Sequence, residues 1–202
     1  MPLRENCPIN ADIIALRRTV VIVAALNLGY FGIEFVVATH IGSVALFADS
    51  IDFLEDASVN ALIWLGLEWS ARNRAKLGMV LAAVLLIPAV ATLWTAWQHV
   101  GSGRIPAPIP LTATGTGALI VNLSCALMLA KVRHVQGSLT KAAFLSARND
   151  TIANVAIIVA GMVTALKPSA WPDLMVGLGI LVMNLDAARE IFQTAREERR
   201  HS

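Results

Sequence analysis

Charge is scarce in this chain, and so are cysteine and histidine; each scarcity removes a class of protein. Only 15% of its 202 residues are charged, against about 25% in an ordinary soluble domain, which argues against a water-soluble fold. Two cysteines cannot build a disulfide framework. Cys7 lies in the N-terminal tail and Cys125 in an apolar run, where it reads as a small packing residue. The four histidines, His40, His99, His134 and His201, do not cluster. The sequence has no HExxH motif, no Gly-x-Gly-Asp stretch and no Ser–His or Cys–His arrangement, so an intramembrane hydrolase lacks the groups it needs. We therefore expect no enzyme and no resident cofactor. A net charge of +2 offers no basic footprint for nucleic acid.

What the chain does have is apolar sequence: 56% of residues are hydrophobic and mean hydropathy is +0.66. Six apolar segments, at 19–39, 43–67, 77–100, 110–130, 142–166 and 171–192, are each long enough to cross a hydrocarbon core of about 30 Å. The expected fold is an all-α membrane protein, a six-helix transmembrane bundle over 19–192 with short tails at 1–18 and 193–202. The first segment is too long for a secretory signal and carries no small-residue cleavage site. Thirteen Lys and Arg residues fall on the side of the two termini, against Arg104 and Lys167 on the other. Cytoplasmic loops hold such an excess, so both termini are expected inside. The expected location is a multi-pass position in a bacterial inner (plasma) membrane. Trp64, Trp69, Trp94, Trp97 and Trp171 suit interfacial anchoring. Pro88 should kink the third helix and Pro110 should open the fourth.

Against this background the stretch "ADSIDFLEDASVN" stands out. It sets Asp49, Asp52, Glu55 and Asp56 inside the second segment. On insertion scales four such acids oppose membrane entry by on the order of 10 kcal/mol, and the surrounding apolar residues return about 5. This helix cannot face lipid on all sides; its acids must meet other helices, a wet cavity or a cation. At 100° per residue Asp49, Asp52, Asp56 and Asn60 fall within about an 80° arc, while Glu55 lies about 100° from Asp56 and is expected to pair with a base or hydroxyl elsewhere. Asp52 and Asp56 can aim two carboxylates at one point, where both stay ionised only if a cation joins them.

The fifth segment repeats the pattern. In "LSARNDTIANVAIIVAG", Ser146, Asp150 and Asn154 copy the spacing of Asp52, Asp56 and Asn60. Two such faces meeting would gather oxygen ligands of the kind divalent cations take. Asp52, Asp56 and Asp150 are the expected metal ligands, with Ser146 as a weak fourth ligand or a supporting donor. Asn149, Glu34, Asp49, Asn60 and Asn154 are further candidates to complete or support the shell. Glu34 shares a face of the first helix with Asn27 and Tyr30 and is a candidate proton relay. Asp49 reads equally as an entrance acid or a packing acceptor. Asp186 is expected to pair with Arg189, and His40 and His99 to sit at the surface.

These residues carry a resemblance. "GSVALFADSIDFLEDAS" resembles the second-helix signature of the cation diffusion facilitator (cation efflux) family, and "LSARNDTIANVAIIVAG" with "WPDLMVGLGI" resembles its fifth and sixth helices. The resemblance implies efflux of a divalent metal cation from the cytoplasm in exchange for protons. It places Asp52, Asp56 and Asp150 at metal-ligand positions and puts Ser146 where the family usually has His. It thus implies an oxygen-rich site that leaves Zn²⁺, Co²⁺, Fe²⁺, Mn²⁺, Ni²⁺ and Cd²⁺ all open as cargo. It further implies a lipid-embedded protein able to form a homodimer. Because the sequence ends soon after the sixth segment, the expectation is of the transmembrane domain without the usual cytoplasmic one. The competing readings are a metal-binding membrane sensor or accessory subunit without transport, and a passive cation channel.

Overall fold

A computed structural model describes residues 8–66, 90, 93–98, 104–132 and 137–183. All regular secondary structure among them is helical. Helix α1 runs Pro8–Ile41, α2 Val44–Gly66, α3 Pro108–Val132 and α4 Gly137–Leu166. Helix α5, the sixth apolar segment, covers Trp171–Met183. Among the described residues three stretches, Asp12–Ile41, Pro108–Val132 and Ser146–Leu166, are long and apolar enough to cross a membrane on their own. Helix α2 has the length, 23 residues, and its acids keep it out of that class. A helical stretch at 93–98 comes from the third apolar segment. Cys7, Trp69, Pro88, His99, His134, Asp186 and Arg189 lie outside the described residues.

Helix α1 begins earlier than its apolar run alone predicts. Pro8, whose fixed φ and missing N–H suit a first helical turn, opens it. Leu16, in the expected tail, is fully buried, so packing extends the helix beyond the apolar stretch. At 34 residues it is about 50 Å long, more than the hydrocarbon core needs.

The turn between α1 and α2 is a Schellman motif. Gly42 takes the left-handed conformation (φ 69°), and Ser43 N–H reaches back to the Ala38 carbonyl at 3.0 Å, satisfying an otherwise orphaned acceptor. Any L side chain is strained at that φ, so Gly42→Ala is expected to cost about 1–2 kcal/mol, read as a lower unfolding midpoint in detergent. Ser43 then caps α2, its Oγ accepting from Leu46 N–H at 3.1 Å.

Helix α1 packs along α2, α3 along α4, and α2 against α4. Tyr30 Oη donates to the Thr114 carbonyl at 2.6 Å, joining α1 to α3, while its ring lies 5.0 Å from that of Phe53 on α2. The two larger of three apolar clusters among the described residues stabilise the bundle. One gathers Leu16, Val20, Val23, Ile63, Cys125, Leu129 and Ala147. The other gathers Ala38, Ile41, Leu46, Leu111, Ile157 and Ile180 and lies at the end where α1 turns into α2. Outer faces are apolar, with Ile120, Leu127, Ile152 and Val159 all more than half exposed, as lipid contact requires. Trp64, Trp94, Trp97 and Trp171 are likewise exposed, and His40 is at the surface.

Candidate functional site

Between the two apolar clusters lies a polar layer. Helix α1 supplies Asn27 and Glu34, α2 supplies Asp49, Asp52, Asp56 and Asn60, α3 supplies Asn122, and α4 supplies Asp150 and Asn154, all buried. In α1, for instance, Val23 belongs to one cluster and Ala38 to the other, with Asn27 and Glu34 between. Burying polar groups costs free energy unless they are paired or bind something, so a buried layer of this composition needs a purpose.

Its centre is where α2 crosses α4. Ser146 Oγ–H donates to Asp56 Oδ1 at 2.9 Å, and the Asp56 and Asp150 carboxyl groups come within hydrogen-bonding reach of each other. Two carboxyl groups this close share a proton or a cation. Of the two roles expected for Ser146, the hydroxyl here acts as a donor. Asp52 sits on the same face one turn along α2, in the field of Asp150, Asp49 and Asp56. Among the described residues no three His, Cys, Asp or Glu side chains close around one point, so the carboxylates by themselves form no three-acid cage in this conformation.

The remaining candidates separate. Glu34 and Asp49 are fully buried, lie within reach of each other across α1 and α2, and have no donor for any of their four oxygens among the described residues. A hydrogen bond between them exists only when one carries a proton. Asn149 is turned from the crossing, its Oδ1 receiving Arg148 Nη2 at 3.5 Å on an exposed flank. Glu55 is only partly buried, and the base or hydroxyl expected beside it is not seen among the described residues. Cys125 is buried and packs as expected, with its thiol donating to Asn27 Oδ1 at 3.6 Å.

One residue that holds the site's main helix in place escapes the sequence pattern. Asp173, in the first turn of α5 and fully buried, accepts from Ser43 Oγ at 2.5 Å, Val44 N–H at 2.7 Å and Ala45 N–H at 3.4 Å. It caps α2, the helix that carries most of the acids. Gly177, one turn on, lets α5 come this near, since a Cβ there would stand 2.8 Å from the Val44 carbonyl carbon. An acid in a first helical turn is the only local sign, and that sign points to its own helix.

A buried carboxylate layer among helices long and apolar enough to cross a membrane marks a membrane protein that handles ions. The chain belongs to the cation efflux family: the model of that family's transmembrane domain matches residues 20–198. Members are metal-cation efflux transporters and not enzymes. No protein with a curated description matches the chain.

Proposed function

We propose that the chain exports a divalent transition-metal cation in exchange for protons, by exposing one intramembrane carboxylate site alternately to the two sides of the membrane. Asp52, Asp56 and Asp150 bind the ion, and Ser146 orients Asp56 through its hydrogen bond. The observation that carries this reading is the meeting of the buried Asp56 and Asp150 with the partly buried Ser146 at the α2–α4 crossing, between two apolar clusters. A carboxylate ligates a metal ion only when deprotonated, so binding and protonation exclude one another and a single site couples the two ions. Membership of the cation efflux family supports the outward direction, the Lys and Arg excess supports termini on the cytoplasmic side, and a bacterial inner membrane is the proposed setting. The candidate cargo ions are Zn²⁺, Co²⁺, Fe²⁺, Mn²⁺, Ni²⁺ and Cd²⁺.

The purified chain in liposomes tests this, with one dye for metal and one for pH inside. Saturable metal flux with opposing proton flux is expected. Metal binding with no flux would instead make the chain a sensor or accessory subunit, and flux indifferent to pH would make it a channel.

A further inference from the structure

Glu34 on α1 and Asp49 on α2 form a second acid pair, apart from the one at the α2–α4 crossing. Both side chains are fully buried, and their carboxyl groups come within hydrogen-bonding reach of each other. None of the four oxygens has a donor among the described residues. The neighbouring hydroxyls are committed elsewhere: Tyr30 Oη donates to the Thr114 carbonyl at 2.6 Å and Ser50 Oγ to that of Phe47 at 2.7 Å. The charged groups whose fields reach the pair are themselves acids, Asp52 and Asp56 on α2 and Asp150 on α4.

Two buried carboxylates this close do not both stay ionised without a cation between them, and an unpaired buried charge is costly. The pair therefore needs a positive guest, which in this conformation is a shared proton. Its place in the bundle says what else that guest can be. Asp49 stands about one turn before Asp52 on α2, on the side of the α1–α2 turn, and Glu34 is on the last turns of α1, which ends at Ile41. Beyond the pair come Ala38, Ile41, Leu46 and Leu111, the apolar cluster at that end. With the termini on the cytoplasmic side, an ion moving outward from Asp52, Asp56 and Asp150 meets Glu34 and Asp49 next.

We propose that Glu34 and Asp49 form a second divalent-cation site, an exit station that takes the transported ion after Asp52, Asp56 and Asp150 release it. This rests on the proposed carboxylate site. Two carboxylates neutralise one divalent ion, and their oxygens, completed by water, are the ligands that a hard cation takes. The exchange balances: the ion steps outward by about one turn onto Glu34 and Asp49, and the proton it displaces passes inward to Asp56 and Asp150. Each pair then holds a proton when the other holds the ion, so neither is left as two bare charges in the bundle.

The test counts bound ions by equilibrium dialysis of the purified full chain against MnCl₂ and ZnCl₂, at mildly alkaline and mildly acidic pH. At alkaline pH, where protons compete least, the parent is expected to bind a second ion beside the one at Asp52, Asp56 and Asp150. Acidification should remove that second ion, because the pair regains its proton. In Glu34→Gln and Asp49→Asn its affinity should fall on the order of 100-fold or more, since even an outer-shell partner is worth about 10- to 100-fold. The amide of either variant can donate to the remaining carboxylate as the shared proton did, so the contact between α1 and α2 survives. A pair that merely packs would not set the number of ions bound. A parent that takes up no second ion, a second ion indifferent to pH, or variants that keep the parent's second ion would overturn the proposal. Asp56→Asn separates the two readings: if it loses the first ion while the parent shows no second, only the exit station fails; if it binds as the parent does, the carboxylate site itself is wrong.

Discussion

Asp56→Asn and Asp150→Asn each reduce metal transport in liposomes to background while leaving the bundle folded. The amide keeps the shape of the carboxyl group and its capacity to accept from Ser146, whose bond to Asp56 is 2.9 Å, so packing at the α2–α4 crossing survives. What disappears is the negative charge and one anionic ligand. Removing even an outer-shell partner of a metal site typically costs about 10- to 100-fold in affinity, so loss of a ligand should cost on the order of 100-fold or more. The parent's metal affinity should fall as pH falls, since protons compete for the same oxygens. An Asn, which cannot take up that proton, removes its share of the dependence. Titration calorimetry at two pH values reads both effects. Parent-like flux in either variant would end the account.

Asp173→Ala lowers the stability of the bundle by about 3 kcal/mol or more without touching the site. Three donors then face no acceptor: Ser43 Oγ–H, Val44 N–H and Ala45 N–H. An unsatisfied buried donor costs about 1–3 kcal/mol, bonds to an ionised acceptor are the stronger kind, and the anion also faces the positive end of the α2 dipole. Asp173→Asn, which retains one acceptor oxygen, should fall between parent and Ala. Unfolding in mixed micelles measures the loss. Because Asp52, Asp56 and Asp150 remain, added Mn²⁺ should still raise the midpoint of Asp173→Ala, as any ligand that prefers the folded state does. A variant as stable as the parent would show that the cap contributes little.

Much of this protein is local and therefore legible in one dimension. Membrane-length apolar runs identify the helices, because each backbone group in lipid must be satisfied within its own segment. The 3.6-residue period by itself puts Asp52, Asp56 and Asn60 on one face of α2, and Ser146, Asp150 and Asn154 on one face of α4. The cost of acids in hydrocarbon marks those faces as functional.

Which faces meet is another matter, since helical periodicity says nothing about a partner far along the chain. Only packing brings Ser146 to Asp56 across 90 positions, sets Glu34 beside Asp49 with no donor to either among the described residues, and turns Asn149 outward toward Arg148. It also sends Asp173 across 130 positions to cap α2, where a first-turn acid would ordinarily serve its own helix. From the sequence alone came the helices, their polar faces and the family likeness. The tertiary structure decided which oxygens converge and which are left over, because those depend on helix register and on how closely glycines such as Gly177 let the helices approach.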